Sequence, residues 1–515
     1  MKKFAEVEKT RQAYHRDPNL NSVHRAASLF PVLDTARYRT NLTFLNHWKI
    51  KRGIPEVAAR HTLRDGEGER LGQTLQVLDQ GKVYSVDLED VAADLGLDSL
   101  PAEGSWEVEY FSARNMFIPY PAVVLNTWND SFFNQVHAYA RVLNDFDEEK
   151  TINRTHVREA SIDVVLDDDH DTFVEVLNGP FAADAALRFV LTGQDGKAIE
   201  RSAPFRASAF AKRRYALSEV FAGAFETTRT AHSLFIDQPD LPMLFSRVCG
   251  GVIRREDGAF SANHSYYDNG RTDEYWTVDP RHEAHSGKTF PLFDDLDLTL
   301  RLYPIACPAA LDFHARFFDA AGRETETLRD IAHLAEGSME IVEFPLGRTG
   351  RERGARSAEL FVTPATGDRV PMRIALQVCY GTGSGLDSSI NISLLSPYVF
   401  APEGKPGRAW CEVAGIEGVE NRIGLYHTPP VPDEGSHPAT VTLYRDADEA
   451  IMTAVLPLAG RQAWADELDA LMPGYKDFLG GRNGFLYAES DSQFLRCLTL
   501  QTNAATGHTA GEHGF

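Results

Sequence analysis

Where this sequence offers chemistry, it offers it through histidines. The segment Asn263-His264-Ser265-Tyr266-Tyr267-Asp268 sets a neutral-pH base, two phenols and a carboxylate within six residues. On a strand, His264, Tyr266 and Asp268 would share one face. A His and a carboxylate on one face suit a metal-ligand pair or an oriented general base. The end of the chain adds His508, Glu512 and His513. It falls short of H-E-x-x-H, and its glycines oppose the helix that motif requires. The expected metal set, for a divalent ion, is therefore His264, Asp268, His508, Glu512 and His513. The bland readings beside it are a tyrosine-rich strand around His264 and a frayed Gly-rich tail.

A second candidate set is built on aromatics and amides. Trp128, Phe132 and Phe133 stand among Asn126, Asp130 and Asn134, just before His137 and Tyr139. Ring faces stack on sugars and amides read hydroxyls, so Trp128, Asn134, His137, Tyr139 and Tyr266 make a candidate ligand platform. The same aromatics serve equally well as core.

Other clusters read as surface. His282 and His285 have no third ligand in sequence reach. Asp167-Asp168-Asp169-His170-Asp171 is acidic but lacks calcium-loop spacing, so a solvated turn is expected. The chain has no Walker A sequence, no strand-linked G-x-G-x-x-G and no G-x-S-x-G. Nucleotide, dinucleotide and common hydrolase chemistry therefore lack support.

The elements that must position these residues repeat along the chain. Alternating apolar runs enter a turn at Asp65, Asp195, Asp319 and Asp446, spaced 130, 124 and 127 residues apart. That step is the size of a domain and predicts tandem copies of one all-β module. A His also precedes each turn, at His47, His137, His264 and His427. Leu296, Leu298, Leu300 and Leu302 alternate with polar residues, as do Met372, Ile374, Leu376, Val378 and Tyr380 with Arg373, Ala375, Gln377 and Cys379. Period two predicts half-buried antiparallel strands with the second set toward solvent. The expected fold class is all-β, with tandem β-sandwich-like modules and one short helix near the C-terminal end. The expected divisions are a polar arm or helix over 1–30, a short module over 31–100, and modules over 101–223, 224–350 and 351–515. The last would carry a helix over 462–479 and closing strands.

Bulk composition narrows the function classes. At 515 residues the chain exceeds one hydrophobic core. Its 43% hydrophobic and 24% charged content excludes disorder as the reason for the missing motifs. A net charge of −22 repels polyanions, so nucleic acid is not an expected partner. The basic run Lys212-Arg213-Arg214 reads as a solvated strand edge. Five scattered cysteines form no disulfide or zinc pattern and fit a reducing compartment. The basic N-terminus lacks an apolar region behind it, and no run approaches the roughly 20 apolar residues of a membrane helix. A cytoplasmic protein with no membrane partner is expected. The leading functional reading is a non-catalytic multi-module binding or scaffold protein for a saccharide or protein partner. The alternative is a metal-dependent enzyme with a His/Asp site formed between modules, and it requires the histidines to converge.

Overall fold

The computed structural model describes residues 24–514, except 80, 117–121, 138–157, 194–196, 225–231, 239–247, 268–274, 278–285, 303–309, 339–340, 368, 372–373, 395–403, 430–432, 434 and 447. The chain is all-β and forms four consecutive β-sandwiches. The first sets the pattern, with β1 (Arg25–Val32), β2 (Arg39–Leu45), α1 (His47–Arg52), β3 (Ala58–Asp65), β4 (Arg70–Val77), β5 (Val83–Asp87), α2 (Leu88–Asp94), β6 (Gly104–Phe111), β7 (Val123–Asn129) and β8 (Phe132–His137). Its two antiparallel sheets have the orders β1-β6-β3-β4 and β5-β2-β7-β8. The sandwiches over 158–267, 286–394 and 407–513 repeat the same eight-strand order. Small additions are a two-residue strand, Tyr266–Tyr267, and a two-stranded ribbon.

The repeating hairpin is the third and fourth strand of each sandwich; Asp65, Asp319 and Asp446 stand at the join of those strands, and Asp195 lies outside the described residues. The expected divisions at 100, 223 and 350 fall inside sheets. β6 pairs with β1 and β3 across 100, Cys249–Arg254 pairs with His170–Leu177 across 223, and Ser357–Pro364 pairs with Leu311–Phe318 across 350. The run that looks like a module's close is its fifth strand plus a short helix, with three strands still to come. The residue opening that helix is Leu88, Leu217, Leu346 or Leu468, each at most 1% exposed. These four leucines hold the same place in the strand order, and each is buried in the apolar cluster of its sandwich. A continuous helix over 462–479 does not form. Ala463–Glu467 pairs as a strand with Val419–His427, and Pro473-Gly474, with Gly474 at φ 80°, separates Leu468–Leu471 from Tyr475–Leu479. Proline lacks the N–H a helix needs there, and the left-handed glycine redirects the chain.

Alternation builds the strands, but module packing decides what faces solvent. In Asp297–Leu302, Leu298, Leu300 and Leu302 are buried and Asp297 is exposed. In Ile374–Gly381 every residue is buried, including Ala375, Gln377 and Cys379, which the period-two pattern assigns to solvent. That strand occupies the seventh position, and seventh and eighth strands lie at the centre where the sandwiches meet. Fourth strands lie outermost, and β4 leaves Leu71, Leu75 and Val77 exposed.

The sandwiches are not beads on a string. One apolar cluster runs through the first and second, joining Tyr38 and Phe132 to Phe173 and Phe260. Another joins the third to Tyr426, Leu498 and Leu500 of the fourth. The basic run is consumed in the first of these junctions rather than solvated. Lys212, 4% exposed, lies 3.3 Å from Glu175 and 3.1 Å from Glu103 and donates to Val32 O, and Arg213 pairs with Glu67 at 2.8 Å. Cys249, Cys379, Cys411 and Cys497 are buried thiols that form no disulfide. No helix among the described residues is long and apolar enough to cross a membrane.

Candidate metal centre at the module junction

The eighth strand of a sandwich is a sheet edge, and an uncovered edge exposes unpaired backbone groups. Here the four edges cover one another. Ala262 N donates to Asn134 Oδ1 at 2.9 Å, joining the second sandwich to the first. Asn391 Nδ2 donates to His264 O at 2.5 Å and Asn263 Nδ2 to Ser389 O at 2.8 Å, joining the third to the second. Thr509 N donates to Leu386 O at 2.9 Å, joining the fourth to the third. Gln135 Nε2 donates to Gln501 Oε1, closing the ring from first to fourth. Buried amides of these strands, those of Asn134, Gln135, Asn263 and Asn391, thus find partners in neighbouring modules.

Three of the four eighth strands end in histidine, at His137, His264 and His513, while the third ends in Leu394. Because the strands meet at their ends, the histidines meet too. One ligand nitrogen from each lies within 4.8 Å of the others. The His137 ring centroid stands 4.7 Å from that of His264 and 4.7 Å from that of His513, at interplanar angles of 77° and 82°. A tetrahedral ion about 2.1 Å from each nitrogen would hold them roughly 3.4 Å apart, so small ring rotations complete the site. Among the described residues this is the one cluster of three or more His, Cys, Asp or Glu with metal-ligand spacing.

The protonation pattern suits an ion. His264 Nδ1 lies 3.0 Å from Ser265 O, and His513 Nδ1 lies 3.3 Å from Gly514 O. A carbonyl only accepts, so both rings carry their proton on Nδ1 and keep Nε2 as the basic nitrogen. His137 Nδ1 lies 2.7 Å from Glu512 Oε2, the carboxylate–histidine pairing that orients metal-bound imidazoles. Burial pushes the His513 imidazole down to about 4, with Glu512 opposing the shift and His137 and Lys288 reinforcing it. His513 is therefore neutral at pH 7, the form that binds metal. The His137 and His513 side chains are 8% and 28% exposed, so solvent reaches the cluster from the His513 side.

The remaining candidates are placed elsewhere. His508 is fully buried, donates from Nε2 to Phe260 O at 2.9 Å and meets Phe132 edge-on. It stitches the fourth sandwich to the second and stands outside the histidine cluster. Glu512 sits behind His137, 2% exposed. Asp268 and Tyr139 lie outside the described residues, and of Tyr266 only the strand backbone is described. Asn134 is buried with its Oδ1 on Ala262 N, and Phe132 and Phe133 are fully buried. Trp128 is half-buried against Phe133, Ala414, Val419 and Ala510. These aromatics pack the junction and present no open platform. Of the repeated histidines, His47 is buried in α1 with Nδ1 donating to Leu45 O, and His427 lies beside His437.

The mate of His137 and His264 in the fourth sandwich is His513. Strand order makes the match, and so does spacing, since 249 residues separate His264 from His513, about two repeat steps. His47, which opens α1, and His427, which ends the strand Val419–His427, carry the same sequence flavour at a different place in the fold.

No family model matches the chain, and no curated protein matches it. Among solved structures, a calcium-binding mutant of Bacteroides uniformis beta-glucuronidase 2 aligns at 13% identity over 50% of this chain and 27% of that one, with a TM-score of 0.12. A second Bacteroides uniformis beta-glucuronidase aligns at 11% identity over 52% of this chain and 28% of that one, also at 0.12. This chain thus spans under a third of their length, and likeness at that level carries no argument about its function.

Proposed function

We propose that this chain is a metal-dependent enzyme whose divalent transition ion sits on His137, His264 and His513 at the junction of three sandwiches. The observation that carries the reading is the convergence of three strand-terminal histidines from separate modules. Imidazole nitrogen suits zinc and its first-row neighbours over calcium or magnesium. Three protein ligands with a solvent-facing side leave a position for water, the arrangement of catalytic rather than structural zinc. An ion there would bring bound water near neutral pKa, supporting hydrolysis or hydration. Glu512 holds the His137 ring through its Nδ1.

A second reading draws on the same location. An ion bridging three modules would staple them, which suits a scaffold that binds a saccharide or protein partner. Cobalt substitution separates the two. Azide added to the cobalt protein should shift its visible bands if the fourth position is open. Bands that ignore azide favour the staple and count against the enzyme.

A further inference from the structure

Away from the histidines, a cleft of about 440 Å³ opens between the second and third sandwiches. That volume lies in the range of small-molecule sites, which favour domain junctions. Its wall includes Ser261, three residues before His264 on the same strand. Strand alternation puts Ser261 and His264 on opposite faces, so the cleft is separate from the metal centre.

We propose that this cleft binds a neutral saccharide. Ser261 is 4% exposed and lines the cleft, and its hydroxyl has no hydrogen-bond partner among the described residues. A buried hydroxyl left unpaired costs stability, and a ligand hydroxyl repairs it. Ser388 Oγ accepts from Tyr380 N at 2.9 Å and Ser389 Oγ accepts from Gln377 Nε2, so each keeps its own proton to donate into the cleft. Ser384 adds a hydroxyl at the rim.

The charges select against anions. Arg254 is held by Asp257 at 2.9 and 2.5 Å, and Arg301 by Glu343 at 2.7 Å. Asp169, Glu256 and Asp387 line the same space, so an anion would meet three carboxylates beside two neutralised guanidiniums. Val165, Val252 and Leu386 supply apolar wall for the C–H face of a sugar ring. A ligand that donates and accepts at many points, carries no negative charge and shows one apolar face fits the lining, and a neutral saccharide meets all three conditions.

Saturation-transfer NMR on the full chain tests this, with glucose, galactose, mannose and N-acetylglucosamine as probes and inorganic phosphate in parallel. At least one sugar should receive saturation, and Ser384→Trp, an exposed rim change, should weaken it about tenfold or more. His264→Ala and chelation should leave it intact. No transfer to any of the four sugars, transfer unchanged in Ser384→Trp, or phosphate binding in their place overturns the proposal.

Discussion

His137 Nδ1 lies 2.7 Å from Glu512 Oε2, a contact that joins the first sandwich to the strand carrying His513. Glu512 thus orients one ligand and neighbours another, with its Oε1 3.6 Å from His513 Nε2. Removing a carboxylate that contacts a metal-binding imidazole typically weakens metal binding about 10–100-fold without removing a ligand. Glu512→Ala should lower zinc affinity by that factor in chelator competition, and Glu512→Gln should lose less. Affinity equal to wild type in Glu512→Ala would detach the carboxylate from the site.

Glu412 lies buried between the fourth sandwich and the first. Its Oε1 accepts from Asn126 Nδ2 at 2.6 Å and from Asn483 Nδ2 at 3.0 Å. Burial raises its carboxyl to about 8, against hydrogen bonds that pull it down. The folded chain therefore holds a proton that the unfolded chain releases near 4.5, and stability falls as pH rises from there toward 8. Glu412→Gln keeps both accepted bonds and removes the titration. Denaturant midpoints should fall from pH 5 to pH 8.5 more steeply in wild type than in Glu412→Gln.

The acid limb has the opposite sign. Burial holds His47 at about 3 and His61 and His508 at about 4. The unfolded chain protonates these rings near 6.5, so stability is present above that value and drains as pH falls toward 4. His508 also donates across modules to Phe260 O. Its replacement by Gln should flatten the acid limb of a denaturant series, and an unchanged limb would refute the assignment.

The four leucines after the fifth strands predict equivalent packing costs. Leu217 and Leu346 are fully buried, and Leu→Ala at such sites costs about 2–5 kcal/mol. Each variant should destabilise its own sandwich by that amount in denaturant unfolding followed by hydrogen exchange. A loss below about 1 kcal/mol would mean the site collapses around the gap.

Much of this fold is legible in the sequence, because alternation and turn residues act locally. Asp65, Asp319 and Asp446 mark third-strand hairpins, and the Asp spacing points to four modules. Module limits are not legible in the same way, since β6 belongs with β1 only through pairing across the chain. Gln377 and Cys379 show the same limit, because no local pattern tells that another sandwich covers a strand's second face. At the site, His137, His264, Glu512 and His513 stand out as residue types. Their meeting depends on four sheet edges closing on one another, a tertiary event. Trp128, Asn134 and His508 look equally chemical in one dimension and serve as packing and stitching in three.

The most direct measurement is zinc stoichiometry by equilibrium dialysis and elemental analysis, on wild type and on His137→Ala, His264→Ala and His513→Ala. The convergence of these rings predicts about one ion per wild-type chain, lost in each single variant while the β-rich circular dichroism spectrum persists. Wild-type protein that stays metal-free after dialysis against zinc, cobalt and manganese, or variants that keep their ion, would contradict it.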